Sequence, residues 1–304
     1  MSTPIRILFV DDEERILRSL SLQFRRHYEV LTESDPLRAL ERLRSEPVQI
    51  IVSDQRMPQM SGAELLERAR EIAPDSIRIL LTGYSDLDAA VQALNNGGIY
   101  RYLNKPWDPQ EMAQTLRGAA EIANRQLLAG PARDGGLLPS SLNVLLLDDD
   151  PQTLDCVGGF CSSGGHRLLR ARDLEEALEL LNEESVDLLV SDLVFAGEDT
   201  TPLLKSLAQA HPRLLSLVVT PFRDTTALLK LINEAQIFRY LPKPIRRGLF
   251  EQGLKAAAKQ SLSWKSRPEQ IALRQAELPR QQADKEKVAS LLGMLGRLRG
   301  RLSA

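Results

Sequence analysis

Short apolar runs alternate along the chain with longer segments whose apolar residues recur every three to four positions. Residues 5–10 (IRILFV) and 48–53 (VQIIVS) are apolar at nearly every position, as expected for strands covered on both faces. Residues 13–26 instead show helical spacing. Further strand-like runs occupy 28–32, 77–82 and 99–103, and further helical segments occupy 36–44, 62–72, 85–96 and 108–128. The alternation predicts an α/β fold, a doubly wound sheet of five parallel strands.

The whole pattern occurs twice. Residues 129–141 (AGPARDGGLLPSS) interrupt the periodicity with glycine and proline and are typical of a linker. We therefore predict a first domain over 1–128, a second domain over 142–262 and a helical tail over 263–304, within a chain of 304 residues. The second domain repeats the strand-like runs at 142–147, 186–191, 214–220 and 237–241 and a helical segment at 173–182.

Composition narrows the class of protein. The chain is 43% hydrophobic and 26% charged, with a net charge of −2, which gives no reason to expect nucleic acid or an anionic membrane as an obligate partner. The apolar run at 5–10 is too short for a signal peptide or a membrane span. Cys156 and Cys161 have no metal-ligand cluster beside them, so we expect packing thiols in a cytoplasmic protein.

Polar residues follow the apolar runs at the point where each predicted strand ends. Asp11 and Asp12 follow the first strand, and Asp54 follows the third. Thr82 ends the fourth strand, and Lys105 follows the fifth. Open parallel sheets bring these ends to one edge, so we expect the five side chains to lie together.

The second half repeats this set with Asp148, Asp149, Asp192, Thr220 and Lys243. The step from the third-strand aspartate to the threonine is 28 residues in both halves, and the step from threonine to lysine is 23. The step from the acidic pair to the third-strand aspartate is 42 residues in the first half and 43 in the second. Such agreement over so many positions favours two equivalent sites.

Each of these residues also has a plain structural explanation. The aspartates and Thr82 are common helix caps, and Lys105 is a common solvated side chain. Three carboxylates at one sheet edge repel one another, however, unless a divalent cation and an ammonium group offset their charge. The set therefore indicates a phosphoryl-transfer site. One aspartate would be the nucleophile, the acidic pair would hold Mg²⁺, Lys105 would pair with the phosphate and the Thr82 hydroxyl would hydrogen-bond it.

The segments FVDDE, SDQRMPQMSG, LLTGYSD and YRYLNKPW resemble the receiver domain of two-component response regulators. The resemblance covers about residues 4–128, and a weaker one covers about 142–262. It implies a flavodoxin-like phosphoacceptor fold with strand order 2-1-3-4-5 in each domain. It also implies a bacterial signalling protein that receives its phosphoryl group from a histidine kinase, a phosphotransfer protein or a small donor. Such a protein catalyses only its own aspartyl phosphorylation and dephosphorylation.

The same resemblance assigns roles in the first domain. It implies that Asp54 is the phosphoacceptor and that Asp11, Asp12 and Asp54 bind Mg²⁺ together with the backbone carbonyl of Arg56.

The resemblance further implies a switch beside the phosphate. Tyr102 matches the aromatic residue that changes rotamer as Thr82 moves toward the phosphate. The bond between Lys105 and Pro106 is typically cis in this family.

The second domain keeps the reactive positions but changes the loop that follows them. Its metal ligands would be Asp148, Asp149 and Asp192, with Asp192 also as phosphoacceptor. Its switch residues would be Thr220, Tyr240 and Lys243. The loop DQRMPQMSG becomes DLVFAGEDT, and Gly83 is replaced by Pro221. Two interpretations stay open: a second competent site, or a retired receiver kept as a docking or dimerisation surface.

The tail carries no recognisable effector module. From Lys265 onward there are nine Lys and Arg residues against four Asp and Glu residues. The tail can be interpreted as a solvated helix, as a helix that docks on a partner, as a homodimer seam, or as a basic helix that binds nucleic acid or a membrane. A short heptad pattern is formed by Val288, Leu291, Leu295, Leu298 and Leu302.

Three functions are compatible with these observations. The first is a switch in which phosphorylation of Asp54 gates contact with an unidentified downstream protein. The second is a scaffold of two receiver folds whose binding ignores phosphate. The third is a nucleic-acid-binding regulator that acts through the basic tail, for which the net charge gives little support.

Overall fold

The computed structural model describes residues 4–83, 91, 94–95, 98–129, 141–221, 225–266 and 282–302. The chain divides into two compact units, Met1–Pro131 and Ala132–Ala304. Among the described residues, none of the helices combines the length and the apolar character needed to cross a bilayer.

The first unit alternates strands and helices as predicted. Its elements are β1 (Arg6–Val10), α1 (Glu14–Phe24), β2 (Glu29–Glu33), α2 (Pro36–Ser45), β3 (Ile50–Asp54), α3 (Gly62–Ile72), β4 (Ile77–Thr82), β5 (Arg101–Asn104) and α4 (Pro109–Ala129). The helix predicted over 85–96 falls almost entirely outside the described residues.

All five strands of the first unit pair in parallel in the order β2-β1-β3-β4-β5, which confirms the predicted topology. Strand β1 lies between β2 and β3, so that Phe9 is paired with Thr32 on one side and Val52 on the other. Every residue of β3 is buried, which explains why its sequence is an unbroken apolar run up to Ser53 and Asp54.

Local sequence signals place the helices of this unit. The Asp35 side chain accepts the Leu37 N–H at 2.8 Å, and Pro36 occupies the first turn of α2, where its missing N–H has no cost. The Ser61 hydroxyl accepts the Glu64 N–H at 3.3 Å and begins α3 just after the loop that follows β3. Both caps fix the direction in which the chain leaves the sheet edge.

The second unit repeats this architecture and adds three elements, two short strands and a tail helix. It contains β6 (Asn143–Leu147), α5 (Pro151–Gly164), β7 (Arg167–Arg170), α6 (Leu174–Glu183), β8 (Leu188–Ser191), β9 (Val194–Phe195), β10 (Glu198–Asp199), α7 (Thr201–Ala210), β11 (Leu215–Thr220), α8 (Thr225–Ala235), β12 (Arg239–Pro242), α9 (Arg247–Ser266) and α10 (Gln282–Leu302). Its five-stranded sheet has the order β7-β6-β8-β11-β12, which is again 2-1-3-4-5 within the unit. Strands β9 and β10 form a separate antiparallel hairpin that the sequence pattern did not predict.

The helical tail is packed against the second unit. Helix α10 lies on α7 and α6 and buries Val288 and Leu295 there. Those residues belong to the predicted heptad pattern, whereas the side chains of Leu298 and Leu302 are outside the described part of the tail. The buried apolar positions of α10 that the structure describes thus face this unit.

Candidate functional site

Four neighbouring strands of the first unit deliver the predicted side chains to one edge of the sheet. Asp11 directly follows β1, Asp54 ends β3, Thr82 ends β4 and Lys105 directly follows β5. These strands are consecutive neighbours in the sheet order, so residues far apart in sequence meet at their carboxyl ends.

An ammonium group lies between two carboxylates at this edge. Lys105 Nζ is 2.7 Å from Oδ1 of Asp54 and 2.9 Å from Oδ2 of Asp11. Asp11 is 1% exposed and Asp54 is 6% exposed, so both carboxylates are held where water screens them poorly. The second oxygen of Asp11 accepts the Glu13 N–H at 2.9 Å.

Burial and pairing act on these groups in opposite directions. Burial raises the pKa of Asp54, while Lys105 and the Gln55 N–H lower it without cancelling the rise. Burial lowers the pKa of Lys105, but its hydrogen bonds to Asp54 and Asp11 outweigh that effect, and the net shift is upward. Lys105 is therefore firmly cationic, and Asp54 is a carboxylate whose negative charge the site only partly compensates.

The acidic side chains fit a divalent cation. One carboxylate oxygen from each of Asp11, Asp12 and Asp54 lies within 4.8 Å of the other two. Asp12 is exposed, which leaves the cluster open to solvent on one side. Mg²⁺ prefers such a partial set of carboxylates completed by water and phosphate oxygens. The predicted fourth ligand, the backbone carbonyl of Arg56, stays a prediction.

The loop after β3 is held against the reactive carboxylate by Gly62. A Cβ at this position would overlap the backbone carbonyl oxygen of Asp54, so a side chain has no room. The Gly62 N–H donates to the Gln55 carbonyl at 3.0 Å, and the Gln55 side chain accepts the Ala63 N–H at 3.0 Å. The sequence pattern did not point to Gln55, whose only signal is a polar residue directly after the last residue of a buried strand.

The predicted switch residues are buried beside the site. Thr82 and Tyr102 are each at most 2% exposed, and the Lys105 N–H donates to the Thr82 carbonyl at 2.8 Å. The bond between Lys105 and Pro106 is cis, as the resemblance implied, and so is the bond between Lys243 and Pro244. The rotamer change proposed for Tyr102 stays a prediction.

The second unit builds a related cluster in which the lysine has one more acidic neighbour. Lys243 Nζ lies 2.8 Å from Oδ1 of Asp148, 2.7 Å from Oδ2 of Asp192 and 3.6 Å from Oδ2 of Asp150. Asp150, to which the sequence pattern did not point, also caps α5 by accepting the Gln152 N–H. Burial raises the pKa of Asp148, with Lys243 and the Asp150 N–H opposing it. Burial lowers the pKa of Lys243, but its hydrogen bonds to Asp148 and Asp192 outweigh this and raise it overall.

The rewritten loop of the second unit is the β9–β10 hairpin. Ala196 and Gly197 turn the chain with φ values of 51° and 79°, the left-handed pair that suits a two-residue hairpin turn. The Ala196 N–H donates to Oδ2 of Asp149 at 3.2 Å. The side chain predicted as a metal ligand therefore contacts the turn of the hairpin.

Thr200 occupies the position that Gly62 holds in the first unit. Its hydroxyl donates to the backbone carbonyl of Asp192 at 2.6 Å, and its N–H donates to the Leu193 carbonyl at 3.0 Å. The hairpin thus leaves room for a buried side chain and uses it to hold the loop, where the first unit has no space for one.

The two predicted metal sites differ in geometry. Within the described ranges, the mutually close group of three acidic ligand atoms is that of Asp11, Asp12 and Asp54, and no such group forms in the second unit. The Lys243 N–H does donate to the Thr220 carbonyl at 3.0 Å, as its counterpart does in the first unit. The metal, phosphoacceptor and switch roles predicted for the second unit stay predictions. The residues concerned are Asp148, Asp149, Asp192, Thr220, Tyr240 and Lys243.

Comparison with known proteins places both halves of the chain in one family. The family described as the response regulator receiver domain matches residues 7–117 and 144–255. The hydrogenase transcriptional regulatory protein HoxA of Bradyrhizobium diazoefficiens is 39% identical over 126 residues, which cover 41% of this chain and 26% of HoxA. The transcriptional regulatory protein GlrR of Escherichia coli is 31% identical over 119 residues, which cover 39% of this chain and 27% of GlrR.

The matched part therefore spans about a quarter of the length of these relatives. Among solved structures, the signal receiver domain of an HD domain-containing protein from Pseudomonas fluorescens Pf-5 is 39% identical. The match covers 42% of this chain and 95% of that chain, with a TM-score of 0.41. Two matches to one family together cover most of the 304 residues. The chain belongs to the response regulator receiver domain family and carries two such domains in tandem, receiver 1 (7–117) and receiver 2 (144–255).

Proposed function

We propose that this protein is a response regulator in which Mg²⁺-dependent phosphorylation of Asp54 switches a protein–protein interaction surface. The observation that carries the proposal is the cluster of receiver 1. There, Lys105 contacts Asp54 and Asp11, while Asp12 completes a set of acidic oxygens that fits a divalent cation. The protein would catalyse only its own phosphorylation and dephosphorylation.

The proposed reaction uses groups already in place. A carboxylate oxygen of Asp54 attacks the phosphorus of the donor, the bond from phosphorus to the donor nitrogen or oxygen breaks, and the leaving group takes a proton from solvent. Asp11, Asp12, Asp54 and the Arg56 carbonyl would hold Mg²⁺, which when bound supplies positive charge for the phosphoryl oxygens. Lys105 would then pair with a phosphoryl oxygen in place of the Asp54 oxygen it now contacts.

The donor would be a histidine kinase, a phosphotransfer protein or a small acyl phosphate, and the output would be a changed surface around β4 and β5. Thr82 would donate its hydroxyl to the new phosphate, and Tyr102 would follow its movement. A full switch between the two states needs about 5.5 kcal/mol of differential stabilisation. The charge and hydrogen bonds added at Asp54 are the source of that energy in this proposal.

The test is phosphorylation of the full chain with acetyl phosphate and Mg²⁺, followed by intact-protein mass spectrometry. We expect the wild type to gain a phosphoryl group on Asp54, and this group should be missing in Asp54→Asn and when EDTA is present. Asp192→Asn is the matched variant in receiver 2, and it reports whether the prediction of a second phosphoacceptor holds. Labelling of Asp54→Asn equal to that of the wild type would exclude Asp54 as the acceptor.

The alternative of a phosphate-insensitive scaffold gives a different result in the same samples. If beryllofluoride with Mg²⁺ leaves hydrogen exchange of β4 and β5 unchanged, the receiver folds act as docking modules and the switch proposal fails. Unaltered exchange in a chain that does bind Mg²⁺ would point to the scaffold directly.

A second candidate function comes from the relatives, which are named transcriptional regulators. This chain would then act on transcription, either through a protein partner or through the basic residues of its tail. Fluorescence anisotropy with duplex DNA at several salt concentrations separates the two. Binding that weakens steeply with salt supports direct contact, and absent binding favours the protein partner.

A further inference from the structure

A buried lysine lies where three helices of the second unit meet. Lys205 on α7 is only 4% exposed. Its Nζ lies 2.8 Å from Oε2 of Glu234 on α8 and 2.6 Å from Oδ2 of Asp284 on α10. We call these three residues the Lys205 triad. None of them belongs to the site around Lys243.

The charges of the triad are arranged unequally. The side chains of Lys205 and Glu234 are both 5% exposed, whereas that of Asp284 is 31% exposed. Burial lowers the pKa of Lys205, but the hydrogen bonds to Asp284 and Glu234 outweigh it and raise the pKa overall. Glu234 alone already balances the lysine charge, so departure of Asp284 leaves no unpaired charge behind. The unit can therefore remain folded when α10 is absent from this surface.

Helix α10 contacts the surface along one side. Val288 and Leu295 are buried, and they lie four and eleven positions after Asp284, a spacing that places all three on one face of a helix. Lys285, Lys287 and Ala289 between and beside them are exposed. The Ser206 hydroxyl on α7 reaches the Val288 carbonyl at 3.5 Å. Among the described side chains of α10, Asp284 thus makes a charged contact, and Val288 and Leu295 are the fully buried apolar ones. We call the surface of α6 and α7 beneath them the seat of α10.

The sequence of α10 makes it dependent on this seat. Gly293, Gly296 and Gly300 lie within its 21 residues, and glycine in a helix interior lowers helical stability. A helix of this composition is marginal by itself in water, so docking and helix formation are coupled. The segment therefore gains its helical structure from its packing against α6 and α7.

We propose that α10 is a removable intramolecular ligand of the second unit and that the surface beneath it, on α6 and α7, binds helices. The recognised pattern is an acid followed by apolar side chains four and eleven positions later. Helix α7 begins directly after Thr200, whose hydroxyl donates to the Asp192 carbonyl. The helix that carries Lys205 therefore starts at the loop beside the site around Lys243. The preferred occupant is the chain's own α10, in the same molecule.

The test is hydrogen exchange of the full chain, with a matched pair of variants. Val288→Asp puts a charge into the buried seat, and Ala289→Asp puts the same charge on the exposed neighbour. We expect amide exchange in α10 to rise at least about tenfold in Val288→Asp and to stay at the wild-type rate in Ala289→Asp. Exchange of β6 and β8 reports that the fold is intact.

A labelled peptide of residues 282–302 tests the surface itself. It is expected to bind the Val288→Asp chain, whose seat is free, and not the wild type, whose seat is filled. The same peptide carrying Asp284→Asn should bind at least about tenfold more weakly, because it lacks the charged contact to Lys205. If Val288→Asp disrupts β6 and β8, Asp284→Asn in the full chain is used instead to release α10 from the surface.

Three results would overturn the proposal. One is equal α10 exchange in the Val288→Asp and Ala289→Asp chains, and another is a peptide that does not bind the opened chain. A third is wild-type α10 protection that falls on dilution, which would show that the seat is filled by a second copy. The measurement uses neither Mg²⁺ nor a phosphoryl donor, so its outcome is independent of the role of Asp54.

Discussion

Lys105 Nζ lies 2.7 Å from Oδ1 of Asp54, although 51 positions separate the two residues in the sequence. The lysine also contacts Asp11, so one cation serves two buried carboxylates. Its contribution to the folded state can therefore be measured separately from any role in phosphorylation.

The first prediction concerns Lys105→Met in EDTA, with Lys105→Arg as the charge-preserving control. Loss of the cation should reduce the free energy of unfolding by roughly 2 to 3 kcal/mol at pH 7. Burial already raises the pKa of Asp54 and Lys105 opposes it, so the substitution raises it further. In Lys105→Met, the loss in the free energy of unfolding that comes from ionised Asp54 is complete above the pKa that Asp54 has in the folded protein. This loss should disappear as the pH falls through that pKa toward 3.8, the ordinary pKa of an aspartate. Urea denaturation between pH 4 and 8 measures this, and a pH-independent difference would contradict it.

A second prediction contrasts two glycines. Gly62→Ala should destabilise receiver 1 by about 3 kcal/mol, because its Cβ would overlap the Asp54 carbonyl oxygen. Gly158→Ala should instead stabilise receiver 2 by about 0.5 to 1 kcal/mol, because it lies within α5 with nothing within 4 Å of the added carbon. Urea denaturation followed by hydrogen exchange reports each unit separately. Equal effects of the two substitutions on the free energy of unfolding would contradict the close approach of Gly62 to the Asp54 carbonyl oxygen.

A third prediction is the number of divalent ions that bind. Electron paramagnetic resonance of Mn²⁺ should find one tightly bound ion per chain, because the described residues form one compact acidic group, that of Asp11, Asp12 and Asp54. Asp12→Asn should remove it and Asp149→Asn should leave it. A second ion, lost in Asp149→Asn, would instead support the sequence-based prediction for receiver 2.

A fourth prediction concerns the two cysteines, which are free and buried. Burial raises the pKa of Cys161 to about 11 and also raises the pKa of Cys156. At pH 8 Cys161 should carry roughly a hundredfold less thiolate than an unperturbed cysteine. Ellman's reagent should therefore react slowly with the native chain and rapidly with both thiols in guanidinium. Cys156→Ser isolates Cys161, and fast native labelling of that variant would refute the burial of this thiol.

The repeated strand ends made receiver 1 largely predictable. Parallel strands deliver their carboxyl ends to one edge, so Asp11, Asp54, Thr82 and Lys105 followed from the apolar runs alone. The strand predicted at 99–103 starts two residues later in the structure, because its pairing with β4 begins where Arg101 lies beside Ile79. The contact between Lys105 and two carboxylates could be expected from this placement and from the opposite charges of the groups.

Other features depend on contacts that no local pattern encodes. The β9–β10 hairpin needs Ala196 at a positive φ, which a non-glycine residue rarely adopts. The Lys205 triad joins residues 79 positions apart through the docking of a tail for which a dimer seam was one of several interpretations. In both cases the deciding interactions are tertiary, so the sequence pattern missed the hairpin and left several interpretations of the tail open.

The close approach at Gly62 also limits how receiver 1 can change during evolution. Because a backbone oxygen fills the space of the missing Cβ, every substitution at this position meets the same obstacle, whatever its polarity. In receiver 2 a buried hydroxyl side chain, Thr200, occupies the equivalent place. That half of the chain therefore accepts a side chain of this size at a position where the first half excludes even a methyl group.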